Sequence, residues 1–245
     1  MLVIPAIDLH GGKCVRLLQG DREKETVYST NPVEMALRWQ SEGAEYLHIV
    51  DLDGAFAGRP VNSAVIEKIV AALDIPLQLG GGIRDLETIR NALALGVSRV
   101  ILGTAAVEQP ELVGEVVALY GDKILVGIDA RDGIVAVKGW VEASVEKAVD
   151  FALKMQTFGV QEIVYTDISR DGTLAGPNFE ALKEMAAALE IPVVASGGVS
   201  SLEDLRTLKG LEQYGVESVI IGQALYTGCI SLQDALRETR QRDRL

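Results

Sequence analysis

Residues 74–83 read DIPLQLGGGI, and residues 190–199 read EIPVVASGGV. Each stretch is an acidic residue with Ile-Pro, an apolar run short enough for one strand, a glycine cluster, and then the start of a helix-period segment. The same order continues on both sides. Apolar runs rich in β-branched residues stand at LVIPAID (2–8), EYLHIVD (45–51), PLQLG (76–80), RVILG (99–103), KILVGID (123–129), EIVYTD (162–167), PVVAS (192–196) and SVIIG (218–222). Helix-period segments follow from Pro32 to Glu42, Asn62 to Leu73, Leu86 to Leu95, Pro110 to Tyr120, Val145 to Phe158, Phe179 to Leu189, Leu202 to Leu211 and Leu232 to Arg240. Asn31-Pro32, Asp85, Ser144 and Ser201 are placed to start helices, and Gly43, Gly96 and Gly159 to stop them.

Eight strand-then-helix units are what a closed parallel (β/α)8 TIM barrel needs. The chain also answers itself at a nearly constant distance. Asp8 matches Asp129, 121 residues on; Gly81 matches Gly197, 116 on; Gly103 matches Gly222, 119 on. DLDGAFAGRPVN (51–62) likewise answers DISRDGTLAGPN (167–178). A doubly wound open sheet also alternates strand and helix, but it does not account for matched halves of four strands. The expected fold is therefore an α/β barrel built from two duplicated half barrels, with residues 1–245 as a single domain.

With 48% hydrophobic and 24% charged residues, the chain can bury a large core, and disorder is excluded as a reading. No apolar run approaches bilayer length, and MLVIPAIDLH meets Asp and His too early for a signal peptide, so a cytoplasmic location is expected. Cys14 and Cys229 lack disulfide or metal-ligand spacing. A net charge of −12 argues against nucleic acid and membrane surfaces as partners. A small anion is still admissible, because a few backbone amides and one Arg can hold it. A monomer is expected.

The glycine clusters follow the third and seventh runs as Gly81-Gly82 and, after Ser196, as Gly197-Gly198. The fourth and eighth runs end in Gly103-Thr104 and Gly222-Gln223. Residues without Cβ let an anion approach main-chain N–H groups, and barrels often hold phosphate after strands 7 and 8 beside a short extra helix, here from Gln223 to Tyr226. The plainer reading, that the glycines only permit tight turns, competes at any one cluster. Two matched sets point to a substrate with a phosphate at each end.

Asp8 closes the first run and Asp129 the fifth, so both carboxylates belong at the barrel mouth, opposite one another. Such a pair suits acid–base chemistry when its surroundings separate the two protonation states. Arg16 and Arg84 are candidates to clamp phosphate or orient a carboxylate. Trp140 could stack on a planar ligand, and Thr166, Asp167 and Asp171 could hydrogen-bond sugar hydroxyls. His48 lies inside the second run and is read as core; neither it nor His10 is given a catalytic role. Residues 9–30 and 130–143 are long connections and candidate lids.

IPAIDLHGGKCVRLLQGD, VYSTNPVEMA, HIVDLDGAFAGRPVN, LQLGGGIR, GIDARDG, VKGW, YTDISRDGTLAGPN and VVASGGVS together resemble the ProFAR isomerases of histidine biosynthesis. The resemblance runs from Ile4 to about Tyr226. It implies a duplicated barrel that performs an Amadori rearrangement of an aminoaldose carrying two phosphoribosyl groups. It also implies Asp8 as base, Asp129 as acid, Thr166 and Asp171 supporting the sugar, Trp140 stacking on the imidazole, and no cofactor or metal. The cyclase subunit of imidazole-glycerol-phosphate synthase shares both aspartates, but it typically reads IPCLDV at the first run. A second relative also isomerises phosphoribosylanthranilate and usually carries Arg two residues before the tryptophan, where this chain has Lys138. Both activities stand as alternatives.

Overall fold

The structure is a computed structural model, described for residues 1–240; the last five residues of the expected domain, 241–245, lie outside the described residues. Eight strands pair in parallel and close on themselves: β1 (Leu2–His10), β4 (Leu47–Asp51), β5 (Leu77–Gly80), β6 (Arg99–Leu102), β7 (Ile124–Arg131), β10 (Ile163–Asp167), β11 (Val193–Ser196) and β12 (Val216–Ile221), which returns to β1. Each coincides with one of the eight apolar runs. Strand alternation divides the core in two. Ile4, Ala6, Ile101, Leu125, Val164, Val194 and Ile220 fill the barrel interior. Val3, Ile7, Leu9, Ile49 and their neighbours face outward against the helices.

The outer helices are α1 (Pro32–Ser41), α3 (Ser63–Ala72), α4 (Leu86–Ala94), α6 (Pro110–Tyr120), α7 (Ala148–Thr157), α8 (Phe179–Ala188), α9 (Leu202–Lys209) and α11 (Leu232–Arg240). Asn31 caps α1, with Pro32 in its first turn. Asp85 and Ser201 form capping boxes with Thr88 and Asp204. Gly43, Gly96 and Gly159 take φ of +104°, +97° and +88°, so each supplies the left-handed residue that ends a helix. Among the described residues no helix is long and apolar enough to cross a membrane.

The fold departs from the sequence pattern at four places. Residues 9–30 are no open loop: β1 runs on into an antiparallel sheet with β2 (Lys13–Leu18) and β3 (Asp21–Ser29). The region 130–143 likewise holds β8 (Ile134–Val137) and the start of β9 (Glu142–Lys147), paired antiparallel on the end of β7. Ser144 is therefore not a helix cap; it lies inside β9, and α7 begins only at Ala148. Short helices α2 (Leu52–Ala57) and α5 (Thr104–Glu108) have no counterpart among the helix-period segments, whereas α10 (Gln223–Thr227) matches the short extra helix expected there. β3 carries no apolar alternation to read, because every residue of it is exposed or half-buried.

Candidate active site

A cavity opens at the carboxyl ends of the barrel strands, where the strand-end aspartates and glycines place it. Its walls include Asp8, Arg16, Arg84, Asp129, Thr166 and Asp171, together with Gly81, Gly82, Gly197 and Gly198. Three strands separate β1 from β7 in either direction round the barrel, so Asp8 and Asp129 stand on opposite sides of the mouth.

Asp8 accepts a hydrogen bond from Arg16 Nη1 at 2.7 Å, and Arg16 Nη2 lies 3.4 Å from Asp171 Oδ1. This guanidinium is no surface ion pair, since Arg16 is buried on β2; among the described residues its Nε has no hydrogen-bond partner. Burial pushes the Asp8 carboxyl up to about 6, with Arg16 pulling it down and Asp171 pushing it up further. Burial also raises Asp129 and Asp171. The two facing carboxyls differ in their partners. Asp171 raises both, but Asp8 touches a cation, which favours its ionised form, whereas Asp129 has only the neutral donors Trp140 and Thr166, which pull it down against burial.

Trp140 sits in the turn between β8 and β9 with φ of +72°. Its ring lies against the turn of the β2–β3 hairpin; a Cβ on Gly20 would fall 2.7 Å from Trp140 Cε3. The two hairpins thus meet over the mouth, and in this state the indole is engaged by Asp129 and Gly20. The second hairpin is also tied down by Lys138 N–H, which donates to Thr104 Oγ1 at 2.8 Å.

The glycines serve close packing as well as turns. Gly81 has φ of +97°, and a Cβ there would sit 2.2 Å from the Asp51 carbonyl oxygen; Gly197, at +93°, faces the Asp167 carbonyl at 3.1 Å. Gly82 and Gly198 approach the backbone of Arg59 and Gly176 in the same manner. Gly222 leaves room for Arg16, whose Cζ would lie 2.5 Å from an added Cβ. Gly103 is different, because its added Cβ would meet nothing nearer than the Gly127 carbonyl at 4.0 Å. Gly103 and Gly222 begin α5 and α10 with closely similar backbone angles, φ/ψ of −102°/−98° and −107°/−94°. Neither helix has a side-chain cap among the described residues, so first-turn N–H groups are left for another acceptor. Arg84 lies beside Gly58 on the cavity wall, Ser196 ends β11, and Gln223 opens α10.

Asp167 does not project free toward a sugar. Its carboxylate accepts from Ser169 N at 2.9 Å and Asn178 Nδ2 at 2.6 Å, bracing the loop before α8. Asp51 does the same for the matched loop, accepting from Gly54 N at 2.8 Å and Asn62 Nδ2 at 2.7 Å. The reading of Asp167 as a sugar ligand is corrected by these bonds. His48 is buried as expected, yet it also lines the cavity; its inward position on β4 is the signal that could have shown this.

An eight-stranded parallel barrel with its cavity and its polar residues gathered at the carboxyl ends of the strands defines a barrel enzyme. Comparison with known proteins narrows this class. Residues 2–231 match the family of histidine biosynthesis proteins. The chain is 56% identical over 241 residues, 98% of each chain, to the 1-(5-phosphoribosyl)-5-((5-phosphoribosylamino)methylideneamino)imidazole-4-carboxamide isomerase of Trichlorobacter lovleyi. It is 58% identical to the isomerase of the same name from Pelobacter propionicus over 239 residues, 98% of each chain. The Synechocystis isomerase is 56% identical over 237 residues, covering 97% of this chain and 93% of its own. The chain belongs to this family of histidine-biosynthesis isomerases.

Proposed function

We propose that the chain converts the aminoaldose ProFAR to its aminoketose by Amadori rearrangement, with Asp129 as acid and Asp8 as base. The observation that carries the division of roles is the difference between the two opposed carboxyls. Burial raises the Asp129 carboxyl and no cation stands beside it among the described residues, which suits a held proton, although the donors Trp140 and Thr166 pull it down. Asp8 has Arg16, which suits a carboxylate. Asp129 protonates the furanose ring oxygen; the C1–O bond breaks while the amine nitrogen forms C=N. Asp8 then takes the proton from the second carbon, giving an enaminol. Ketonisation places one proton on C1 and releases that of the 2-hydroxyl, so both carboxyls end as they began.

The substrate's two phosphates suit two grips, one of Gly81, Gly82, Gly103, Thr104 and Arg84 and one of Ser196, Gly197, Gly198, Gly222 and Gln223. Support comes from the uncapped starts of α5 and α10 and from the recurrence of the same glycine packing in each half. That recurrence, with the matched Asp51–Asn62 and Asp167–Asn178 pairs, also supports a chain of two repeated half barrels in one domain. Thr166 and Asp171 border the sugar, and Trp140 would leave Asp129 to stack on the imidazole. Lys138 is held by Glu142 at 2.8 Å, which favours a single substrate over added use of phosphoribosylanthranilate.

Purified protein assayed with ProFAR tests the proposal. Asp8→Asn and Asp129→Asn should each lower kcat by roughly 100-fold or more, the usual scale of a lost acid–base group. Normal turnover by either variant would overturn the roles. Turnover of phosphoribosylanthranilate, or imidazole glycerol phosphate formed from ammonia and the ketose, would replace the single activity.

A further inference from the structure

Below the two aspartates, the barrel interior holds a second polar system that the reaction leaves unused. His48 on β4 is paired in register with Gln78 on β5, and Gln78 with Arg99 on β6, so three polar residues lie side by side across neighbouring strands. The interior around them is apolar. Polar groups in such a place are costly unless each finds a partner. The Arg99 guanidinium pairs with Glu162, donates from Nη2 to Gln78 Oε1 at 2.9 Å, and lies over the Tyr46 ring. Gln78 Nε2 in turn lies 3.1 Å from His48 Nδ1.

The hydrogen bonds have only one consistent direction. A guanidinium donates and never accepts, so the Gln78 carbonyl must face Arg99 and the Gln78 amide nitrogen must face His48. An amide nitrogen only donates, so His48 Nδ1 must offer its lone pair. The neutral ring then carries its hydrogen on Nε2. Burial, reinforced by Arg16 and Arg99, pushes the imidazole down to about 3, which keeps the ring neutral. No hydrogen bond from the described residues reaches Nε2, while His48 lines the cavity beside Asp8 and Arg16.

We propose that Glu162, Arg99 and Gln78 are positioning residues that hold His48 in its Nε2–H form, and that this hydrogen is donated to a sugar oxygen of the bound substrate at the barrel floor. The identity of the acceptor rests on the isomerase reading above; the tautomer does not. Arg99 reaches no substrate itself, and its effect travels through the orientation of one amide.

The protein has only two histidines, so long-range 1H–15N spectra of 15N-histidine-labelled full-length enzyme are assignable by comparison with His10→Asn. Wild-type His48 should show Nε2 protonated and Nδ1 bare. Gln78→Glu, nearly isosteric, replaces the donor facing Nδ1 with an acceptor and should move the hydrogen to Nδ1. Turnover of ProFAR should then fall roughly ten- to a hundred-fold in kcat/KM, more through KM than kcat, because the bound sugar oxygen would be left buried without its donor. Arg99→Met should lose the tautomer preference and Arg99→Lys should recover part of it; if Arg99→Met does not fold, Gln78→Glu decides. Wild-type His48 protonated on Nδ1, or a Gln78→Glu enzyme with the reversed tautomer and wild-type kcat and KM, would overturn the proposal. A protein with the expected tautomer but no isomerase activity would instead overturn the isomerase reading, and with it the sugar oxygen as acceptor.

Discussion

Asp8 combines two opposing influences at a single side chain. Burial raises its carboxyl from 3.8 to about 6, yet Arg16 keeps the ionised form within reach at neutral pH. A base must be unprotonated, so kcat/KM is expected to fall as pH drops below about 6, readable as the acid limb of a pH–rate profile. Stability should respond in the opposite sense. Between 3.8 and about 6 the folded state binds more protons at Asp8 than the unfolded chain, so ionising this residue costs stability as pH rises through that window. The melting temperature of Asp8→Asn relative to wild type should therefore climb across the window, by up to about 3 kcal/mol in free energy. Calorimetry at several pH values checks this; a difference that stays flat with pH would refute it. Asp8 is legible as a strand-end carboxylate, but its pairing with Arg16 is not, because arginine is ordinarily a surface residue and only the fold of the β2–β3 hairpin buries it.

The turns between strands and helices show the same limit at the scale of elements. Eight helix-period segments and their glycine stops can be read from local pattern, whereas the two hairpins cannot. β3 is polar along its length, and the β9 sequence EASVEK leads directly into a helix. The glycine clusters suit phosphate cradles by sequence, and the structure adds a packing requirement to them. Gly81→Ala combines a positive φ with a clash at 2.2 Å against a main-chain oxygen, and should destabilise by about 3 kcal/mol or more. Gly228→Ala, also at positive φ but with nothing within 4 Å, should cost only about 1–2 kcal/mol. Urea unfolding of the two variants separates backbone strain from close approach. Gly20→Ala would press on Trp140, so it should shift the hairpins apart and raise KM, measured alongside Trp140 fluorescence.

Across the whole molecule, a net charge of −12 coexists with a proposed substrate that carries two phosphate groups. On the proposed function the attraction is local, supplied by Arg84 and the first-turn N–H groups of α5 and α10. A bis-phosphorylated substrate analogue should raise the melting temperature more than ribose 5-phosphate at equal concentration, because two grips act on one molecule. Saturation near 100 times Kd would correspond to about 2.7 kcal/mol of stabilisation. Equal shifts from both ligands would argue that only one grip operates.

The eight strand–helix units, the ends of the barrel strands and the placement of Asp8 and Asp129 there are legible in the chain alone. Each depends on periodicity, caps and glycines within a few residues, which a chain displays locally. What those carboxyls touch depends on packing between distant segments. Arg16 reaches Asp171 across 155 residues of sequence, Trp140 closes on Gly20 and Asp129, and His48 is oriented through Gln78 and Arg99 from two further strands. Barrel closure and strand register set those pairings, and neither is written in any one segment.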